Sequence, residues 1–246
     1  MEITSSSLIT WSFGLAAFGY LALWIYLISF GTDWRASIHT RRMVAVAVMS
    51  TLWAFAGLLF AYGGNTLALV AASLADVAKY GLWYAFLVTL LAPTDKQKPA
   101  SALPSWLPTI CWMLVIAGVG LQVSVALRLI SPAEWLRWVI FHGLAEAVIG
   151  LVLVEQLFRT VAEDSRWNIK PLCIALLCQF AFDVYLFSDA MMFSRIDGDA
   201  MIVRGFVHAM TIPLLMLATD RARDWTSKIH LSQKAAFHSA TLLLAG

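Results

Sequence analysis

The sequence predicts an all-α bundle of membrane-spanning helices, and three observations predict it. Hydrophobic residues make up 61% of the chain and charged residues 13%, with a mean hydropathy of +0.77. A soluble domain rarely exceeds about half apolar residues. The apolar residues fall in runs of roughly 20, the length a helix needs to cross a bilayer. The basic residues are sorted by segment: counted in alternate connections, twelve Lys and Arg fall on one side of the bundle. Only Arg128, Arg137 and Arg195 fall on the other side. Basic connections stay in the cytoplasm, so the N-terminus lies outside.

Taken in order, a short polar tail to Ser7 without Lys or Arg leads into a first span at about 8–30. A basic connection ending at Arg42 precedes the second span, 43–62, which Gly63, Gly64 and Asn65 close with a tight turn. The third span, about 67–92, carries Asp76 and Lys79. Residues 93–105 are rich in Pro and Ser and cannot continue a helix. The fourth span, 106–127, is apolar apart from Gln122. Pro132 and Glu134 then begin the helix of the fifth span, 138–158, which holds His142, Glu146 and Glu155. A charged connection at 159–170 leads to the sixth span, 171–188, and a turn at 194–199 to the seventh, 200–219. Residues 220–234, of mixed charge, read as a cytoplasmic loop. The last residues, 235–246, read as the start of an eighth helix, with the chain expected to be a fragment of a longer protein, or else as a short interfacial helix. Trp34, Trp106, Trp135, Trp138, Trp167 and Trp225 sit near span ends, where an indole favours the headgroup layer.

Ionisable residues inside the spans are the informative exception. Each costs about 2.5–3.5 kcal/mol near a helix centre on insertion scales, so such groups are paired or line a wet cavity. Counting about 1.5 Å per residue puts Asp76, Lys79, His142, Glu146, Asp183, Arg204 and His208 in the outer half of the membrane. His142 and Glu146, Arg204 and His208, and Gln179 and Asp183 are spaced i,i+4, so each pair shares a helix face. Asp76 and Lys79 can pair at i,i+3. The set combines three acids and two bases, and the histidines can tune the balance near neutral pH. Two readings stand side by side: a self-neutralised network that fixes helix register, and an outward-facing site for a ligand or proton. His142, Glu146, Asp183 and His208 are ligand types that suit zinc, but two nearby cations argue against a metal. Glu155 and Arg159 read as a salt bridge at the inner interface.

Several classes are excluded. A net charge of +2 gives no basis for a nucleic-acid partner. Cys111, Cys173 and Cys178 are odd in number and lack metal-ligand spacing. Retinal proteins need a lysine midway along the last helix, and the only lysine within a span is Lys79. HExxH and GxSxG are absent, so no intramembrane protease motif is present, and no pattern calls for a cofactor. A proton-coupled transporter or other membrane carrier stays open, although no internal repeat of broken helices supports it.

Certain stretches carry a resemblance. RID at 195–197, RG at 204–205, PLL at 213–215, Arg223 with Trp225, FHS at 237–239, and KYGLWYAFL at 79–87 stand out. With them the chain resembles the N-terminal membrane region of PrsK-type sensor histidine kinases of PEP-CTERM/exosortase systems. Lys79 stands where that family is expected to favour arginine. The resemblance covers the last third well and the rest loosely, and its motifs are not catalytic. It implies a single sensory input domain in the inner membrane of a Gram-negative bacterium. It also implies cytoplasmic GAF-like, dimerisation and ATP-binding kinase domains, a homodimer, and a response-regulator partner. The cue, a small molecule or a membrane component, stays unidentified. The chain itself has no phosphoacceptor motif and no glycine-rich ATP lid, so it cannot phosphorylate anything alone.

Overall fold

The computed structural model describes residues 2–29, 37–64, 66–91, 106–161 and 163–244, with side chains for 7–29, 37–64, 67–91, 106–161 and 166–221. Among the described residues there are seven helices: α1 (Glu2–Ser29), α2 (Ile38–Gly63), α3 (Thr66–Leu91), α4 (Trp106–Ala126), α5 (Pro132–Thr160), α6 (Glu163–Phe193) and α7 (Gly198–Leu244). Each contains a stretch long and apolar enough to cross a membrane. The chain is therefore a multi-pass, all-α membrane protein, with a lipid bilayer as its surroundings.

The helix ends follow local chemistry. Gly64 closes α2 in the left-handed region (φ 57°) and donates its N–H to the Phe60 carbonyl at 2.9 Å, a conformation that costs a glycine little. Ser131 caps α5 in a reciprocal box with Glu134, and Pro132 fills the first turn, where its missing N–H is not needed.

Three stretches expected as connections are helical instead. Residues 38–42 open α2, 163–170 open α6, and 220–234 continue α7. The same helix runs on through 235–244, so those residues do not open a separate helix. None of the three stretches holds a Gly or Pro to stop a helix, and charge alone does not end one. Pro171 therefore falls inside α6. A proline at that place leaves the carbonyl four residues back without its donor. Here that carbonyl belongs to Trp167, and Arg221 of α7 donates to it from Nη1 at 2.9 Å.

Six helices close a ring: α1 packs on α2, α2 on α3, α3 on α5, α5 on α6, α6 on α7, and α7 back on α1. α4 braces α3 and α5 from outside. The ring's interior is filled by side chains, with Tyr20, Trp53, Tyr80, Trp83, Leu87, Leu153 and Leu176 almost fully buried. Trp106, Trp138 and Trp167 are exposed, as interfacial rings should be. Trp135 is not: it is buried and donates Nε1–H to Gln122 Oε1 at 3.2 Å. Glu155 and Arg159 pair at 2.9 Å with both side chains largely exposed, as their spacing suggested. The connections 30–36 and 92–105, with Trp34 and part of the basic charge, lie outside the described residues.

Candidate functional site: a buried ion cluster

α7 contributes the hub. Arg204 lies six residues into that helix, about 9 Å from its N-terminal end, and only 3% of its side chain is exposed. Its guanidinium grips two carboxylates on two other helices. Nε donates to Asp183 Oδ1 at 2.7 Å and Nη2 to Asp183 Oδ2 at 2.9 Å. Nη1 donates to Asp76 Oδ2 at 2.8 Å and Nη2 to Asp76 Oδ1 at 3.1 Å. Bidentate pairs of this kind are the strong form of a charge-assisted hydrogen bond, and only a planar guanidinium forms them.

The second cation is Lys79, one turn from Asp76 on α3. Its ammonium stands 2.8 Å from Asp76 Oδ1, too bent for a hydrogen bond, and lies over the Trp53 ring at 3.6 Å from the centroid. Tyr80 donates its hydroxyl to Asp183 Oδ2. Two carboxylates thus face two cations, and the cluster is neutral in total. Isolated buried charges are prohibitive, whereas a paired and hydrogen-bonded set is tolerated.

A second group lies beside it. His208, one turn below Arg204, does not contact that arginine by a hydrogen bond; its Nδ1 meets the Tyr20 hydroxyl of α1 at 2.8 Å. The same imidazole packs on Trp53 with centroids 4.5 Å apart. Gln179 donates to Thr211 Oγ1 at 2.6 Å, and Thr211 donates to the His208 carbonyl at 2.8 Å. Gln179 Oε1, His208 Nε2 and Glu146 Oε1 are buried without a hydrogen-bond partner among the described residues. Such groups are exceptions in folded proteins, and they are the atoms a small polar ligand or a proton can engage.

Glu146 and His142 form the outer edge. His142 Nε2 sits 2.8 Å from the Leu114 carbonyl, which can only accept, so that nitrogen carries the hydrogen. Nδ1 then faces Glu146 Oε2 at 3.4 Å, and the contact is attractive only if the pair holds one further proton. Tyr84 donates its hydroxyl to the Glu146 main-chain carbonyl, tying α3 to α5.

The seven residues singled out from the sequence are all buried or half-buried between helices, His142 against α4. Asp76, Lys79, Asp183 and Arg204 meet directly; His142 with Glu146, and His208 with Tyr20, stand as separate pairs. The four residues weighed as zinc ligands make other contacts, and among the described residues no three His, Cys, Asp or Glu side chains gather to hold a metal. Sequence reasoning missed Tyr20, Trp53, Tyr80 and Thr211. Trp53 carried a readable signal, since it lies mid-span and away from the headgroup layer its ring would otherwise prefer.

No protein-family model, curated protein or solved structure matches this chain.

Proposed function

We propose that the chain is the membrane input module of a PrsK-like sensor histidine kinase in a bacterial inner membrane. One observation carries this reading: two of the stretches on which the resemblance rests supply members of the buried cluster. KYG at 79–81 supplies Lys79, which pairs with Asp76, and Tyr80, which holds Asp183. RG at 204–205 supplies the hub and then a glycine whose Cβ would lie 2.8 Å from the Ser12 main-chain carbon of α1.

In this reading a periplasmic or membrane-borne cue alters which acid Arg204 holds. Since Asp76 and Asp183 sit on α3 and α6, a change of partner shifts α7 against its neighbours. A cue can do this only by binding two packings with different affinity. A cytoplasmic kinase domain in a homodimer, and a response regulator after it, would receive the change. The rival is a proton-coupled carrier, favoured by the place for one proton between His142 and Glu146. Both oxygens of Asp183 and of Asp76 are already occupied by cations or hydroxyl, which leaves little for proton exchange at the hub.

The test is to read the gene's frame beyond the codon for Gly246. A phosphoacceptor helix and a glycine-rich ATP lid in the same frame support the input module. A second membrane half related to this one overturns it in favour of the carrier, as does a frame that contains no kinase.

A further inference from the structure

We propose that the inner-leaflet end of the α2–α3–α4 junction binds an anionic phospholipid, with its phosphate at Arg42 and one acyl chain in a slot between α3 and α4. The slot has a volume of about 120 Å³. Gly81, Ala85 and Val88 line it from α3, Trp112 and Val115 line it from α4, and Arg42 stands at its mouth. On α3 these residues recur at i, i+4 and i+7, a single face.

α3 and α4 approach closely beside the slot at two successive levels, and a Cβ on Gly118 would lie 2.9 Å from Val77 Cγ1. A Cβ on Gly81 would meet Val115 Cγ2 at 3.1 Å, so the helices touch there. Depth follows from the helical rise. Val88 and Gly81 lie about 5 and 15 Å from the inner end of α3, and Arg42 about 6 Å from the inner end of α2. The slot therefore covers the acyl region of the cytoplasmic leaflet, and Arg42 lies towards its headgroup side. Trp112, 56% exposed, lines the slot's lipid-facing side, and the buried Tyr84 and Cys111 line its inner wall.

Charge selects the occupant. Arg42 donates to the Ala85 carbonyl, which also accepts from the Thr89 hydroxyl at 2.6 Å. Among the described residues Arg42 has no carboxylate partner, unlike Arg204. One turn away on the same face, His39 Nδ1 is buried without a partner. A guanidinium that meets no carboxylate among the described residues and lies at interface depth matches a phosphate diester, and basic pockets between membrane helices on the cytoplasmic side bind such headgroups. A zwitterionic lipid presents the same phosphate beside its own cation and fits less well. This claim concerns binding and stands whether or not the chain is a kinase input module.

The test uses delipidated full-length chain in detergent, titrated with phosphatidylglycerol or phosphatidylcholine of matched chains and followed by native mass spectrometry. The first phosphatidylglycerol should bind at least fivefold more tightly than phosphatidylcholine. Arg42→Gln should remove that preference, while Arg128→Gln on the opposite side should keep it. A phosphatidylglycerol with a photoreactive acyl chain should label peptides covering 81–88 and 111–115. Equal binding of the two lipids, an unchanged preference in Arg42→Gln, or labelling spread evenly over the lipid-facing helices would each overturn the site. If Arg42→Gln does not fold, Val88→Phe, which fills the slot, takes its place and should abolish the same labelling; persistent labelling refutes the proposal.

Discussion

At the scale of single residues, Arg204 and Glu146 are opposite cases of a buried ionisable group. Arg204 satisfies two carboxylates at once, at 2.7 to 3.1 Å. Removing it leaves both acids buried and short of a cation, and breaking a buried pair costs about 3–5 kcal/mol. Arg204→Ala should therefore show a large drop in thermal midpoint in detergent. Adding Asp183→Asn to that variant should recover part of the loss, because one stranded charge is gone. Arg204→Lys should recover little, since an ammonium cannot hold both carboxylates in plane. Glu146 has no such cation: its Oε1 is unpartnered and its Oε2 is 3.4 Å from His142. Glu146→Gln should leave the midpoint within a degree or two of the parent. Equal losses in Arg204→Ala and Glu146→Gln would show that the four-charge cluster does not hold the helices. The sequence made the four charged members of this cluster readable, because ionisable residues stand out inside apolar spans. It did not make the pairing readable. Spacing along one helix fixes Asp76 with Lys79, but which acid meets Arg204 depends on how α3, α6 and α7 turn towards each other.

At the scale of elements, the helices were legible and their ends were not. A run of apolar residues announces a span, and each span expected from the sequence falls on an observed helix. Helix ends depend on stop signals, which charge does not supply. Hence 38–42, 163–170 and 220–234 are helical, while Gly64 and the start at Pro132 and Glu134 did mark true ends. Close helix approaches are likewise invisible in composition, because a glycine within a span reads as one more small residue. Gly205 and Gly120 separate the two cases. A Cβ on Gly205 would sit 2.7 Å from Ser12 Oγ and 2.8 Å from the Ser12 main-chain carbon, whereas nothing lies within 4 Å of one on Gly120. Main chain cannot turn aside as a side chain can, so α1 and α7 would have to separate. Overpacking of this kind costs about 1–3 kcal/mol. Gly205→Ala should lower the thermal midpoint, and Gly120→Ala should leave it unchanged or raise it, given alanine's better helix propensity. The same midpoint for both variants would mean that α1 and α7 are not in close contact.

At the scale of the whole molecule, the bundle has two chemically different ends, and its orientation decides what each end can meet. The ion cluster lies in the half nearer the α6–α7 turn: Asp183 is ten residues from the end of α6 at Phe193, about 15 Å. The slot beside Arg42 lies in the other half. If the basic connections are cytoplasmic, the cluster is reached from outside and the slot belongs to the inner leaflet. Both functional readings depend on that single assignment. It rests on twelve basic residues against three in alternate connections, a bias that sets orientation because cytoplasmic loops retain Lys and Arg. Arg195, in the exposed turn before α7, gives an outside marker, and Ser227, beyond the last span at Arg221, gives an inside one. In a background with Cys111, Cys173 and Cys178 replaced by serine or alanine, Arg195→Cys should react with a membrane-impermeant maleimide on intact spheroplasts. Ser227→Cys should react only after the membrane is opened. The reverse pattern would invert the bundle: the cluster would then face the cytoplasm, a periplasmic cue could not reach it, and the lipid at Arg42 would have to come from the outer leaflet.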